Sequence, residues 1–322
     1  MEAWVILIIL IAFIALTYIG RDLEERLIKP HFDEGFETQI EGAYPESKGL
    51  IRWLDNKELY DSFYCGIYDK LTQGSVRTQA EVGLALNEWT KQGEDLTTFE
   101  VLDAGCGTGI ATVSLAKMNV KRVTGFDSSK AMLNQAKTKT LPQTTLTEEQ
   151  AEKISWKNGD LTEPSALAGG EYTHALLLYF TIYYVPDKET VFRNLYYWLK
   201  PGGKLVVHVV NKHKFDPMLE SSSPWLGFSL QKYSDTRITK SEVTFEKFKY
   251  IGEFDLQDPA AEFRETFRFN DGMVRRQRHS FQMENIDTIV GMARAAGWEY
   301  KGFIDLTPIA FEYAYHLHFK HP

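Results

Sequence analysis

The chain has 322 residues, 43% hydrophobic and 25% charged, which is enough to bury a full core and excludes a disordered or low-complexity protein. A net charge of -8 argues against a general nucleic-acid binder, which needs a basic surface to displace counterions. Two cysteines, Cys65 and Cys106, cannot build a disulfide framework, so a reducing compartment is expected.

The first segment is apolar: Trp4 to Ile19 carries no charge. As a helix, Ala3 to Gly20 would span roughly 27 Å, close to the thickness of a hydrocarbon core. A single-pass membrane anchor over residues 1–20 is the expectation; a cleaved signal peptide and a buried or interfacial helix are the alternatives. Arg21, Arg26 and Lys29 follow it, which would leave the rest of the chain on the cytoplasmic side. Residues 21–56 are polar and broken by Pro30 and Pro45, and are expected to form a linker.

A helix is predicted from about Leu59, with Tyr60, Tyr64 and Leu71 at near-helical spacing, and a second from about Thr78 to Lys91. After Leu96, strand and helix signals alternate. FEVLDAG, VKRVTGFD, ISWKNGDL, THALLLYF and GKLVVHVV are strands, separated by helices such as GIATVSLAKM and PDKETVFRNLYYWLK. That alternation predicts an α/β fold with a doubly wound, mostly parallel sheet. The helix NIDTIVGMARAAGWEY and two closing strands complete it; the short break at Thr307-Pro308 requires the last two to be antiparallel. Residues 211–283 differ in texture, with period-two strands and an Asn270-Asp271-Gly272 hairpin signal. They predict a small antiparallel β insertion over the carboxyl edge of the main sheet, where open α/β sheets bind ligands.

The stretch VLDAGCGTGI places Asp103 ahead of Gly105, Gly107 and Gly109. A dinucleotide fingerprint would need glycine where Ile110 stands, and a phosphate-binding loop would need Gly-Lys-Ser/Thr. An acid and no lysine suit a ligand without phosphate and with a cationic amino-acid end. Asp127 and Asp160 close the next two strands, where carboxylates can accept from ribose hydroxyls and from an exocyclic adenine amine. Each acid alone is more often a helix cap or turn residue; three on successive strand tips are hard to obtain by chance.

From about Tyr60 to the C-terminus the chain resembles the class I S-adenosylmethionine-dependent methyltransferases acting on small molecules. VLDAGCGTG and LKPGGKLVV carry the most specific part of that resemblance, with VTGFDSSKAML, NGDL and YFTIYYVPDKE in support. It implies a Rossmann-like sheet of seven strands over residues 57–322 and S-adenosylmethionine as cofactor. It also implies site roles. Asp103, Gly105, Cys106, Gly107 and Gly109 would hold the methionine end, and Asp127, Ser128 and Met132 the ribose and adenosine. Asp160 and Leu161 would face the adenine, and Tyr179 would line the methyl-transfer side. The family often has an acid early in the fourth strand; here His174 stands near that place.

The expected activity is methyl transfer to a small-molecule or lipid acceptor, which needs alignment and exclusion of water, and a base only when the acceptor must lose a proton. His208 and Tyr183 are the catalytic candidates, and Tyr64, Tyr68 and Tyr184 the acceptor-side candidates; Tyr60 belongs to the same aromatic group. For each, burial in the core is the competing reading. Glu265 is expected to pair with Arg276 or Arg278, and Arg275, Arg276, Arg278 and His279 to form a solvated strand edge. No metal site is expected, because His316 and His318 lack an evident acid or cysteine partner. The remaining alternatives are a non-catalytic, membrane-tethered scaffold that binds S-adenosylmethionine and an aminopropyl-transferring enzyme of the same fold.

Overall fold

In chain order the strands are β1 (Ala43–Pro45), β2 (Trp53–Leu54), β3 (Glu100–Ala104), β4 (Arg122–Asp127), β5 (Ile154–Asn158), β6 (Tyr172–Leu177), β7 (Leu199–Val210), β8 (Lys240–Thr244), β9 (Phe248–Gln257), β10 (Ala260–Phe269), β11 (Met273–Gln282), β12 (Glu299–Asp305) and β13 (Ala314–Lys320). The helices are α1 (Ser62–Thr72), α2 (Gly74–Thr90), α3 (Ile110–Lys117), α4 (Lys130–Gln135), α5 (Glu148–Glu152), α6 (Thr181–Tyr184), α7 (Lys188–Trp198) and α8 (Ile286–Ala295). These come from a computed structural model that describes residues 40–46, 49, 52–72, 74–91, 93–217 and 236–322.

Among these residues one sheet has seven strands in the order β12-β13-β7-β6-β3-β4-β5. β3 through β7 pair in parallel, and β13 runs antiparallel to both β7 and β12. The α/β fold expected from the alternation is therefore present, including the antiparallel close. β3 is buried at all five positions because helices cover both faces of the sheet. On one face Val82 and Trp89 of α2 and Leu115 of α3 pack on Val101 and Val123. On the other, Val191 and Leu195 of α7 and Ile289 of α8 pack on Leu102 and Val207. Each such side chain contributes about 1.5–3 kcal/mol on burial. The order reverses between β3 and β6, the switch point at which open α/β sheets bind ligands.

The second sheet follows the order β1-β11-β10-β9-β8, with β2 also pairing β11. β10 and β11 are joined across Asn270-Asp271-Gly272 in a hairpin of continuous antiparallel register. Its inner face packs Phe248, Tyr250 and Phe267 against Leu59, Tyr64 and Leu71 around α1. That contact lays α1 against the second sheet, while Asp69 on its other side reaches Thr108 in the turn after β3.

Two expectations are corrected. Residues 40–54 are not simply linker: β1 pairs antiparallel and β2 parallel with β11, anchored by the Arg275 guanidinium donating to the Glu41 carbonyl at 2.8 Å. Strands of two or three residues carry no periodicity, and their partner lies more than 200 positions away. The single-pass membrane helix, with a catalytic domain on its cytoplasmic side, is also set aside. No helix among the described residues is long and apolar enough to cross a membrane. Residues 1–20, on which that reading stood, lie outside the described residues.

Candidate functional site

At the switch point, the carboxyl ends of β3, β4 and β6, the start of α4 and one side of α1 enclose a cavity of about 1030 Å³. The glycine turn shapes its floor. Gly105 has φ +75°, and a Cβ there would lie 2.4 Å from Thr181 Cγ2, so only glycine lets α6 close onto the turn. Gly109, at φ +83°, would push a Cβ to 2.5 Å from the Trp156 ring. The turn is fixed to the neighbouring strand by the Gly105 and Cys106 amides, which donate to the Phe126 carbonyl at 2.7 and 3.0 Å.

Asp127, at the tip of β4, accepts from the Gly107 amide through Oδ2 and from the Ser129 amide through Oδ1, both at 2.8 Å. Burial pushes its carboxyl up, and the two backbone donors oppose that shift. Asn158 Nδ2 donates to the Asp127 and Ser128 carbonyls at 2.9 Å each, knotting the tips of β4 and β5. Asp103 is buried at the base of the cavity, where its Oδ2 accepts from Thr112 Oγ1 at 2.6 Å. Burial raises its carboxyl to about 7, against the opposing Thr112 hydrogen bond. Asp160 is exposed at the rim and caps its own turn, accepting from the Thr162 amide and hydroxyl at 2.8 Å.

Most of the residues selected from the sequence converge here. Asp103, Gly105, Cys106, Gly107, Asp127, Ser128, Met132, Asp160, Leu161, Tyr179, Tyr68 and Tyr184 all line the cavity. Gly109 lies behind the turn rather than in the lining, as the N-cap of α3. Tyr179 holds φ +53°, a costly conformation for a tyrosine, of the kind that clusters at binding sites.

The structure does not bring His208 and Tyr183 to the cavity wall. Tyr183 is fully buried and its hydroxyl donates to the Val210 carbonyl at 3.3 Å and accepts from the Val210 amide at 2.8 Å. His208 is fully buried and gives its Nδ1 hydrogen bond to Glu81 Oε2 at 2.7 Å. The same carboxylate oxygen takes His316 Nε2 at 3.0 Å, so His316 does have an acid partner, supplied by α2. The three ligand atoms lie within 4.8 Å of one another, but a metal there would have to displace both hydrogen-bonded protons.

Other lining residues carried no signal in the sequence. Asp69 of α1 accepts from Thr108 Oγ1 at 2.7 Å, and burial raises its carboxyl to about 6. Arg77 of α2 lines the cavity and stacks 3.5 Å from the Phe311 ring centroid.

Where α1 and α6 line the cavity, Tyr60 Oη donates to Tyr184 Oη at 2.7 Å, and Tyr184 Oη lies 2.5 Å from His279 Nδ1. His279 Nε2 lies 2.6 Å from Glu265 Oε2, with the Tyr64 hydroxyl 3.2 Å from the same nitrogen. Tyr64 itself stands behind this chain, outside the lining. Glu265 also accepts from Tyr250 at 2.8 Å and Gln277 at 2.7 Å. The expected Arg276 or Arg278 partner is thus corrected: the cross-strand register turns His279 and Gln277 inward and those arginines outward. Nor is Arg275 a solvated edge residue. It is fully buried, with Asp61 Oδ2 at 2.5 Å.

The cavity's donor set fits a nucleoside bearing an amino-acid end. The Asp127 and Asp160 carboxylates are fixed by backbone donors, Gly105 and Gly107 leave the turn without Cβ atoms at alternate positions, and its anionic charge has no lysine beside it in the turn.

A methyltransferase-domain family model matches residues 101–203. Trans-aconitate 2-methyltransferase of Deinococcus radiodurans is 34% identical over 115 residues, which cover 35% of this chain and 39% of that relative. The chain thus spans about two fifths of that relative's length. In structure the chain is similar to an S-adenosylmethionine-dependent methyltransferase of Clostridium acetobutylicum, with TM-score 0.58 and 16% identity over 80% of this chain and 97% of the other. It is also similar to S-adenosylmethionine-bound CalS10, an amino pentose methyltransferase of Micromonospora echinaspora, with TM-score 0.53 and 15% identity over 76% and 92%. Residues 101–203 thus match a methyltransferase domain, and the chain has the fold of S-adenosylmethionine-dependent methyltransferases, which supports S-adenosylmethionine as its cofactor.

Proposed function

We propose that the protein transfers a methyl group to a small-molecule acceptor held between the glycine turn and the tyrosines of α1 and α6. The observation that carries this reading is the pairing of Asp127 with the Gly107 amide at 2.8 Å, above buried Asp103, in a cavity that also has an aromatic wall. When bound, S-adenosylmethionine supplies an electrophilic methyl on a sulfonium.

In this reading Asp103 and the turn formed by Gly105, Cys106 and Gly107 hold the cationic amino-acid end. Asp127 holds the ribose hydroxyls, with Ser128 and Met132 beside the adenosine. Asp160 and Leu161 face the adenine. Tyr179, Tyr68 and Tyr184 face the acceptor and keep water from the reacting atoms, so that alignment supplies much of the rate. Tyr183 and His208 act behind this wall, Tyr183 by fixing the end of β7 through Val210 and His208 through Glu81.

The test is transfer of tritium from methyl-labelled S-adenosylmethionine by the full chain into small molecules of a cell extract depleted of macromolecules. Labelled small molecules together with equimolar S-adenosylhomocysteine are the expected result. Label confined to protein or nucleic acid in an undepleted extract would contradict the small-molecule acceptor.

A further inference from the structure

Four polar side chains on the acceptor side form a chain of hydrogen bonds that runs one way. Glu265 is fully buried on β10 and accepts from Tyr250, Gln277 and His279, which is the pattern of an ionised carboxylate. A carboxylate 2.6 Å from His279 Nε2 requires the ring proton to sit on that nitrogen. In the neutral ring Nδ1 is then a lone pair, to which the Tyr184 hydroxyl 2.5 Å away donates. The Tyr184 oxygen in turn accepts from Tyr60 at 2.7 Å. The chain therefore begins with the Tyr60 oxygen, at the cavity, and ends on a buried anion. Both tyrosines line the cavity; His279 and Glu265 do not.

We propose that Tyr60, Tyr184, His279 and Glu265 form a proton relay that takes a proton from the acceptor, so that the acceptor's nucleophile is a hydroxyl rather than a carboxylate. This rests on the methyl-transfer reading above. In the step, the acceptor's X–H bond breaks as its X–CH3 bond forms and the sulfur–methyl bond breaks. The proton passes to Tyr60 Oη, the Tyr60 proton to Tyr184 Oη, and the Tyr184 proton to His279 Nδ1. Both tyrosines end as neutral phenols, and the positive charge that leaves sulfur reappears on an imidazolium facing Glu265.

The tyrosines are suited to relay and unsuited to act as resting phenolates. Burial raises both hydroxyls, helped at Tyr60 by Tyr184 and opposed at Tyr184 by the hydrogen bond from Tyr60. The base is His279, the imidazole that links Tyr184 to Glu265. Beside Tyr184 and Glu265 it faces the hydroxyl of Tyr64 and the rings of Tyr60, Phe263 and Phe281. Tyr60 and Tyr184 are the members that reach the acceptor; Glu265 is a positioning residue that fixes the tautomer.

Two measurements test this on the full chain. In nitrogen-15 spectra of the histidine-labelled protein near neutral pH, His279 is expected to carry its proton on Nε2 with Nδ1 bare. Tyr184→Phe should shift the Nδ1 signal while S-adenosylhomocysteine binding, followed by calorimetry, stays unchanged. A proton on Nδ1, or a His279 already doubly protonated, would overturn the relay. In the second measurement, catechol, tyramine and benzoate are offered with tritiated S-adenosylmethionine. Label should enter a hydroxyl of catechol or tyramine and fall about 100-fold in Tyr60→Phe and His279→Gln. Label in benzoate alone, or equal losses in all variants on benzoate, would overturn the proposal, and so would a wild type that labels no hydroxyl. Loss of S-adenosylhomocysteine binding in the wild type would instead refute the underlying methyl-transfer reading.

Discussion

Glu81 and His208 form a fully buried pair, carboxylate oxygen to Nδ1, at 2.7 Å, and His316 closes the same oxygen from the adjacent strand at 3.0 Å. The group pins α2 to β7 and β13 one layer behind the cavity, and Arg77 lies one helical turn before Glu81 on α2. Burial alone would raise the Glu81 carboxyl, but the two imidazoles outweigh it and hold it low. In Glu81→Gln the side-chain carbonyl can take the place of that oxygen and face both histidines, but a neutral acceptor replaces the charged one. The substitution is therefore expected to cost about 1–2 kcal/mol, the margin by which hydrogen bonds to a charged group exceed neutral ones. The check is the midpoint of urea unfolding at pH 7; an unchanged midpoint would contradict the account.

Acid should destabilise the fold before most carboxylates titrate. His174 is wedged between Trp89 and Phe99, with ring centroids at 4.4 and 3.9 Å, and His318 lies on β13; each has a buried Nε2 without a hydrogen-bond partner. Burial holds their imidazoles down, to about 3 and about 4, below the ordinary 6.5. Between those values the unfolded chain binds protons that the folded chain refuses, so stability rises with pH there and is lost as pH falls from about 6.5 towards 4. Thermal midpoints at pH 7.5 and 5 should differ in that sense, and His318→Leu should flatten the difference. A midpoint that rises on acidification would contradict it.

Much of this was legible in the sequence, for identifiable reasons. The seven-stranded sheet follows from alternation of long strands and helices, and the cavity floor from glycines that tolerate no Cβ and acids that end strands. What sequence concealed was pairing across distance. Glu265 finds His279 rather than an arginine because β10 and β11 register Glu265 opposite Gln277, and side chains two apart share a face. Glu81 finds His208 and His316 from 127 and 235 positions away, which no local spacing encodes. His208 and Tyr183 stood near the expected pocket mouth, yet both turn into the core.

Cofactor affinity should fall in acid. Asp103 must be ionised to hold a cationic amino group, and burial raises its carboxyl to about 7. Lowering the pH from 8 to 6 should weaken S-adenosylmethionine binding about tenfold. Without ligand the same raised carboxyl favours the folded state at low pH, a contribution lost as pH rises through about 7, opposite in sign to the two histidines. Calorimetry at both pH values decides; an affinity independent of pH would take Asp103 out of the amino-end role.

The central claim is that the Asp127–Gly107 frame holds S-adenosylmethionine. The most direct measurement is calorimetric titration of the full chain, Asp127→Ala and Gly105→Ala with S-adenosylmethionine, S-adenosylhomocysteine and NAD. The account predicts binding of the first two and not of NAD by the wild type, and at least 100-fold weaker binding by both folded variants. The loss in Asp127→Ala reflects a missing ribose acceptor, and in Gly105→Ala a turn strained at φ +75° against Thr181. Binding of NAD, or unchanged S-adenosylmethionine affinity in Asp127→Ala, would contradict it.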